Sequence, residues 1–314
     1  MGAALVAAAS VPFWRAQCRR IGLVDAPGHR KIHAQPTPLA GGLAIWTALT
    51  AAMVGLLVIL QWGWLDANTT EKLRYGLAHR AGQLLAILGG ASAMLVLGAL
   101  DDKFELSAGV KFAGQLLIAG GVALAGIRIT LFVPSVLFSY FITILWILTV
   151  INAFNFMDNM NGLCAGLALI ATVLLGLRSA AQGQYLVAGI SFATAGSLLG
   201  FLPYNFPRAT AFLGDAGSHL IGFLVAVLAI LPHFYTRKHP NPWAVLDPLL
   251  ILALPLADLC WVVGLRWKLG KPFYIGDTNH LSHRLVGAGL TPTRAVACIW
   301  LGAAGVGALI FLLK

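Results

Sequence analysis

Long apolar segments constrain the fold of this 314-residue chain more than any other feature. Hydrophobic residues make up 59% of the chain and charged residues 10%, with a mean hydropathy of +0.84. A soluble protein of this length could not bury so much apolar surface, and a spanning helix needs about 20 apolar residues. The pattern predicts an all-α polytopic membrane protein with about ten transmembrane helices, near residues 2–14, 39–60, 82–100, 110–126, 131–151, 163–181, 184–202, 216–234, 244–264 and 294–313.

The order of these segments predicts a single domain over residues 1–314, because no repeat or low-complexity tract interrupts them. Residues 61–80 are expected to form the longest polar loop outside. The first segment lacks the cleavage pattern of a removable signal, and a natural start upstream of Met1 stays open. With an external amino terminus, most of the 21 Lys and Arg residues fall on inside loops, as is typical of cytoplasmic loops. This orientation places every motif described below on the cytoplasmic side.

The charge balance limits the possible partners. A formal net charge of +10 suits anionic headgroups of membrane lipid and anionic substrates. Nucleic acid is a poor partner, because the basic residues are divided among short loops. The four cysteines show no Cys-x-x-Cys spacing and lie in or beside apolar runs, which favours buried packing roles.

Three acidic sites border the apolar segments. Asp101 and Asp102 directly follow one run, Asp158 lies between two runs, and Asp215 begins another. A carboxylate at the centre of a bilayer costs about 2.5–3.5 kcal/mol, so acids beside such segments are usually functional. Adjacent carboxylates repel unless a cation separates them, and Mg²⁺ prefers one or two carboxylates together with phosphate oxygens. The pattern predicts Mg²⁺, with Mn²⁺ as an alternative, and a phosphorylated substrate.

The first inside loop is basic. Arg30, Lys31 and His33 precede a Pro-x-Pro-x-x-Gly-Gly run, and we expect these three side chains to bind a diphosphate. The basic residues before them fit a positive-inside anchor better. Gly41 and Gly42 are expected to offer free backbone N–H groups to an anion.

Amide side chains dominate the third inside loop, which carries Asn152, Asn155 and Asn161 around its single acid. We predict that these amides bind an uncharged part of the substrate, such as a base or a sugar; a polar ladder between helices is the alternative. The fourth loop adds Asn205, another predicted substrate ligand. Gly214 and Gly217 beside its acid are expected to let a ligand approach the backbone.

The fifth loop contains Asp277, His280, His283 and Arg284. Two His residues three apart with an acid can bind zinc, but no Cys or Glu completes such a site nearby. A role in binding an anion or a sugar is more economical. Asp258, within the preceding apolar segment, is expected to make a polar contact between helices.

Together these five loops resemble the polyprenyl-phosphate N-acetylhexosamine-1-phosphate transferases, glycosyltransferase family 4, which include WecA-like enzymes and the related MraY translocase. The resemblance runs from Arg30-Lys31-x-His33 to His280-x-x-His283-Arg284-Leu285. It implies transfer of an N-acetylhexosamine 1-phosphate, most simply that of GlcNAc, from a UDP-sugar to undecaprenyl phosphate, with Mg²⁺ and release of UMP. It also implies a bacterial inner membrane, a cytoplasmic active site and a first membrane step of cell-envelope polysaccharide synthesis; a homodimer stays open.

Two runs differ from the family pattern. The WecA type ends in His-x-His-His-Arg-Leu, and here the middle His is Ser282. The family usually has Asp-Gly-x-Asp-Gly in the third loop, where this chain has Asp158-Asn159-Met160-Asn161-Gly162. The second acid is therefore an amide, and we expect Asn161 to hydrogen-bond to the nucleotide or the sugar.

The resemblance assigns roles to the acids. Asp215 is the predicted metal ligand, with Asp101 or Asp102 assisting it or acting as the base, and Asp158 joins Asp101 and Asp102 as a catalytic candidate. Direct attack by the lipid phosphate and a covalent aspartyl-phosphate route both stay open. A secondary transporter for an anionic solute is the main alternative, although its polar sites would lie near the membrane centre. A phosphatidyl-transfer enzyme is less favoured, because its Asp-Gly-x-x-Ala-Arg pattern is absent.

Overall fold

A computed structural model describes residues 1–25, 36–131, 133–232, 242–272, 274 and 277–312. The helices are α1 Gly2–Ile21, α2 Gly41–Trp62, α3 Ala67–His79, α4 Ala81–Phe104, α5 Ala108–Leu124, α6 Val136–Met157, α7 Leu163–Ala181, α8 Tyr185–Asn205, α9 Gly214–Leu228, α10 Asp247–Ile251, α11 Ala253–Lys268, α12 Leu281–Gly287 and α13 Pro292–Ala308. Two short strands, β1 Val24–Asp25 and β2 Thr37–Pro38, pair antiparallel, and 3-10 turns cover Pro242–Leu246 and Leu309–Phe311.

The apolar segments of the sequence coincide with helices or with one bent helix pair, which confirms the all-α polytopic fold. Within the described residues, six helices are long and apolar enough to cross a membrane. A seventh span results if Trp243–Ile251 and Ala253–Lys268, which are bent by 69°, are counted together. Helices α5 and α9 are apolar but shorter, so the number of about ten spans stays a prediction.

Residues 61–80 were expected to be a polar loop, but most of this segment is helical, because α3 covers Ala67–His79. Asp66 caps this helix by accepting a hydrogen bond from the Thr69 backbone at 2.9 Å. Helix α3 has no buried residue, so no apolar face marks it in the sequence.

Helix α9 lies at the centre of the bundle. Every residue from Ala216 to Leu228 is buried, so the helix is enclosed on all sides. Its neighbours approach closely at small residues: a Cβ at Gly42 would lie 2.6 Å from the Gly217 nitrogen, and one at Gly98 would overlap the Asp215 carbonyl group. Close approach at glycine is typical of helix packing in membranes. Gly217, which was expected to expose backbone to a ligand, instead serves this packing.

The connections that carry the sequence motifs meet at one end of the bundle. The first and fourth loops are joined by backbone hydrogen bonds, from Phe212 to the Pro38 carbonyl at 2.9 Å and from Gly41 to the Phe212 carbonyl at 3.0 Å. Gly42 donates in the same way to the Leu213 carbonyl at 3.4 Å. The expectation that Gly41 and Gly42 bind an anion is therefore wrong, because both N–H groups already have protein acceptors.

Candidate active site

Asp102 holds the first turn of α9. Its Oδ1 accepts a hydrogen bond from the Asp215 backbone at 2.8 Å, and its Oδ2 accepts one from the Ala216 backbone at 3.0 Å. The first N–H groups of a helix have no partner within the helix, and a carboxylate there also interacts favourably with the helix dipole. Gly214 permits this approach, since its φ is 72° and a Cβ there would lie 2.7 Å from Asp102 Oδ2. Asp102 thus has a structural task that the sequence did not reveal.

Lys111 lies between the other two acids of this group. Its Nζ is 2.7 Å from Asp101 Oδ2 and 3.8 Å from Asp215 Oδ2. Asp101 Oδ1 also accepts a hydrogen bond from the Leu106 backbone at 2.9 Å. The structure therefore brings a positive charge to the acids at the end of the bundle.

Asn155 supports Asp215 from α6. Its Nδ2 donates to Asp215 Oδ1 at 2.8 Å and to Ser218 Oγ at 3.0 Å. Because a carboxylate only accepts, the amide nitrogen must face Asp215, and both amide hydrogens are used. The Asn155 carbonyl oxygen makes no hydrogen bond within the described residues.

Asn152 repeats this arrangement one helical turn deeper. Its Nδ2 donates to the Leu148 carbonyl at 2.8 Å and to Gln115 Oε1 at 2.9 Å. The Gln115 amide nitrogen lies 3.2 Å from Nε2 of the buried His219. Asn152 and Asn155 therefore have a fixed orientation in which each keeps a carbonyl oxygen as an acceptor. Such oxygens suit a hydroxyl group, an N–H group or a cation, but not a phosphate oxygen.

Asp158 is the acid with the most unusual surroundings. It follows the last residue of α6, and its carboxylate receives no hydrogen bond or ion pair from the described residues. Burial raises the pKa of Asp158 well above its ordinary value, and the negative charges of Asp215, Asp102 and Asp25 act in the same direction. An unpaired carboxylate beside other acids is what a bound cation would stabilise.

The oxygen-rich composition of this group fits a hard cation such as Mg²⁺. Among the described residues Asp158 has no partner, and Asp215 lies beside Asp101, with its Oδ2 3.8 Å from Lys111 Nζ. Among the described residues, no three His, Cys, Asp or Glu side chains form a group that could hold a metal ion alone. Mg²⁺ normally binds one or two carboxylates and completes its shell with water and substrate phosphate, so two protein carboxylates are sufficient.

The fifth loop is organised by an acid whose function the sequence missed. Asp258 Oδ2 lies 2.7 Å from His280 Nδ1, and its Oδ1 accepts a hydrogen bond from the Leu281 backbone at 2.6 Å. The Asp258 and His280 side chains are only 1% and 6% exposed. Since the carboxylate accepts, Nδ1 carries a proton, and Nε2 takes no part in this pair. The distance of 22 residues between the partners explains why local sequence patterns gave no signal.

Further contacts fix the neighbouring residues of this loop. Burial raises the pKa of Asp277, but hydrogen bonds from Arg266 and Asn279 outweigh it and lower the pKa to about 2. Burial and the adjacent His280 lower the pKa of His283, which is therefore a neutral imidazole at pH 7. The Arg284 guanidinium lies 4.6 Å from the ring centre of Trp261.

Comparison with known proteins agrees with this geometry. The model of glycosyl transferase family 4 matches residues 84–233. The chain is 32% identical over 290 residues to a probable undecaprenyl-phosphate N-acetylglucosaminyl 1-phosphate transferase of Bacillus subtilis, which covers 90% of this chain and 75% of the relative. The chain belongs to glycosyl transferase family 4.

Two other relatives have similar coverage. A decaprenyl-phosphate N-acetylglucosaminephosphotransferase of Mycobacterium tuberculosis is 32% identical over 319 residues, covering 92% of this chain and 76% of the relative. An undecaprenyl-phosphate alpha-N-acetylglucosaminyl 1-phosphate transferase of Escherichia coli is 28% identical over 305 residues. The match covers 93% of this chain and 77% of the relative. The resemblance inferred from the five loops is confirmed at the level of the family.

The remaining predicted site residues of this family member have different positions. Asn205 is buried, and its side chain accepts from the Gly162 backbone at 2.8 Å and donates to the Ala211 carbonyl at 3.0 Å, so it joins the third and fourth loops. Asn161 is exposed and donates to the Pro207 carbonyl at 3.2 Å. Their contacts with substrate stay predictions. Three further residues fall outside the described part of the chain: Arg30, Lys31 and His33.

The zinc alternative for the fifth loop finds no support in this geometry. Asp277 pairs with Arg266 at 2.9 Å, and His280 uses Nδ1 for Asp258. Within the described part of the chain these residues do not form a three-ligand cluster. The loop is therefore better suited to binding an anion or a sugar.

Proposed function

We propose that this protein transfers N-acetylglucosamine 1-phosphate from UDP-GlcNAc to undecaprenyl phosphate and releases UMP. The observation that carries the proposal is the meeting of Asp215 and Lys111 at one end of the bundle, beside the oriented Asn155 amide and near enough to Asp158 for the Asp215 charge to act on it. Phosphoryl transfer needs positioned oxygens and neutralised charge more than a reactive side chain. The names of three relatives, each covered over at least 75% of its length, support the same reaction.

The proposed reaction forms one bond and breaks one. An oxygen of the lipid phosphate attacks the phosphorus attached to the sugar, and the bond from this phosphorus to the bridging oxygen of UMP breaks. UMP leaves with the bonding electron pair, and the sugar 1-phosphate joins the lipid through a new diphosphate. No side chain needs to become covalently bound.

Asp158 and Asp215 would hold Mg²⁺, or Mn²⁺ in its place, and the bound cation would neutralise charge on the diphosphate. Lys111 offers a second positive charge at the same place, within reach of Asp101 and Asp215. Asn155 and Asn152 would accept hydrogen bonds from the sugar or the base. His280 and the neutral His283 would contact the phosphates or the sugar from the opposite loop.

Direct transfer is favoured over an aspartyl-phosphate route. Both Asp102 oxygens accept backbone hydrogen bonds, which lowers their availability as a nucleophile. Among the described residues Asp158 has no protein partner, so a covalent route would most easily use that residue. Measuring exchange of labelled UMP into UDP-GlcNAc without lipid acceptor separates the routes, because only a covalent intermediate supports exchange.

A secondary transporter is less consistent with the arrangement of the acids. Transporters place their polar sites near the membrane centre on interrupted helices. Here Asp102 lies in the last turn of α4, Asp158 follows α6, and Asp215 lies in the first turn of α9. We place the active site at the cytoplasmic face of a bacterial inner membrane, where UDP-sugars are available and where polysaccharide synthesis for the cell envelope would begin.

The experiment uses purified protein in lipid nanodiscs with undecaprenyl phosphate, Mg²⁺ and a panel of UDP-N-acetylhexosamines. UMP release and formation of the lipid-linked sugar are measured together. We expect both with UDP-GlcNAc, none after EDTA, and recovery on adding Mg²⁺. Asp215→Asn should abolish turnover, whereas the matched control Asp66→Asn, at the cap of α3, should not. Absence of UMP release with every sugar would refute the proposal.

A further inference from the structure

Two of the three departures from the family pattern touch each other in the structure. Ser282 replaces the middle His of the closing motif, and Asn159 stands where the third-loop run has its first Gly. The Ser282 hydroxyl donates to Asn159 Oδ1 at 2.7 Å, across 123 residues of sequence. The Asn159 amide nitrogen donates to the Phe156 carbonyl at 2.6 Å, which fixes the amide orientation.

This hydrogen bond joins the two segments that flank the candidate active site. Asn159 directly follows Asp158, whose carboxylate has no partner within the described residues. Ser282 lies between His280 and His283 and is fully buried. The Phe156 ring also packs edge-on against the His280 ring, with the ring centres 5.7 Å apart. The bond therefore links the segment that carries Asp158 to the segment that carries His280 and His283.

Each departure depends on the other for physical reasons. With Gly at position 159, the buried Ser282 hydroxyl would lose its acceptor, and an unsatisfied buried polar group is unfavourable. With His at position 282, a larger ring would have to fit into a fully buried space that Asn159 already limits. Gly at position 159 leaves room for His at position 282, and Asn at position 159 gives the Ser282 hydroxyl an acceptor. Gly with Ser leaves that hydroxyl without an acceptor, and Asn with His leaves too little room for the ring.

We propose that Asn159 and Ser282 are a coupled pair of positioning residues, which holds the Asp158 segment against the His280–His283 segment. The pair substitutes for the Gly and His of the family pattern. Its predicted effect on turnover rests on the proposed function, whereas the coupling within the folded protein does not. Neither residue needs to contact the reacting phosphorus.

A double-mutant cycle tests the coupling. It uses wild type, Asn159→Gly, Ser282→Ala and the double variant in nanodiscs, with melting temperature, kcat and KM for UDP-GlcNAc measured for each. We expect each single variant to lower kcat by about ten-fold, with KM within about two-fold, because small displacements of catalytic groups reduce rate more than binding. The double variant should be no slower than the slower single variant, since all three lose the same hydrogen bond. Ser197→Ala is the matched control, because the Ser197 hydroxyl bonds only within its own helix, and it should leave kcat unchanged.

A second cycle tests the substitution itself. Ser282→His alone should be strongly impaired or poorly folded, and adding Asn159→Gly should restore kcat to within about three-fold of wild type. If Ser282→His does not fold in either background, the first cycle still decides. Losses of kcat that multiply in the first cycle would overturn the proposal, as would lower melting temperatures with unchanged kcat. If wild type releases no UMP, the proposed function fails separately, and independent shifts of melting temperature would then refute the coupling.

Discussion

Asp102 gives the sharpest test of how this site is built. The sequence indicated that acids at the membrane border are functional. The structure instead places both Asp102 oxygens on the first turn of α9, at 2.8 and 3.0 Å from backbone nitrogens. Asp102→Asn should therefore reduce stability as well as turnover.

The size of the effect follows from the two hydrogen bonds. An amide keeps one acceptor oxygen, so one backbone bond survives without its charge, and the new NH₂ group faces the other backbone N–H. Hydrogen bonds to charged groups contribute about 1.5–3 kcal/mol, and an unsatisfied buried donor costs about 1–3 kcal/mol. We expect the free energy of unfolding to fall by about 2–4 kcal/mol. The melting temperature falls by roughly 2–4 °C for each kcal/mol of unfolding free energy that is lost, so the effect is measurable.

The assay compares three acid variants in the same nanodiscs. Tryptophan fluorescence on heating gives the melting temperature, and UMP release gives kcat. Asp215→Asn should melt close to wild type, because an amide oxygen still accepts from Asn155 and the negative charge beside Asp101 is removed, while its kcat falls by about 100-fold or more. Asp66→Asn controls for loss of a carboxylate charge at a helix N-terminus far from the site, because Asn still caps the helix. An Asp102→Asn protein that melts like wild type but loses as much kcat as Asp215→Asn would refute the capping role.

Three further outcomes are expected. Asp158→Asn should abolish turnover yet raise the melting temperature; the gain should be absent near pH 4 and grow as pH rises, because a carboxyl group with a raised pKa destabilises the folded state only when it must lose its proton. A difference in melting temperature between Asp158→Asn and wild type that does not change with pH would contradict this. Asp258→Asn should lower kcat by about ten-fold by releasing His280, and an unchanged kcat would remove Asp258 from the site. Cysteine labels in the α4–α5 and α8–α9 connections should react from the cytoplasm only, and reaction from opposite sides would exclude a shared active face.

Several features were accessible from the sequence because they depend on composition and order along the chain. Apolar runs of about 20 residues must become helices in a bilayer, where backbone groups find no other partners. Successive spans place alternate connections on the same side, so the five motif-bearing loops were expected together, and their described parts do meet at one end of the bundle. Acids beside such runs, Asp101, Asp102, Asp158 and Asp215, were identified for the same reason.

Other expectations failed because the sequence does not state which partner a polar group meets. Gly41 and Gly42 were expected to bind an anion, but their N–H groups donate to the fourth loop. Asp258 was expected to be a simple helix contact, but it orients His280. In each case the competing partner comes from a distant part of the chain, and only the packing of helices brings it near.

The sequence by itself determined that this chain spans a membrane and belongs among transferases that act on phosphorylated lipids. The tertiary structure decided which acids are available for chemistry. Asp102 is occupied by the backbone of α9, whereas Asp158 is left without a partner in the described structure. The physical reason is that hydrophobic length acts locally along the chain, while a carboxylate's role depends on which donors the folded helices bring within about 3 Å.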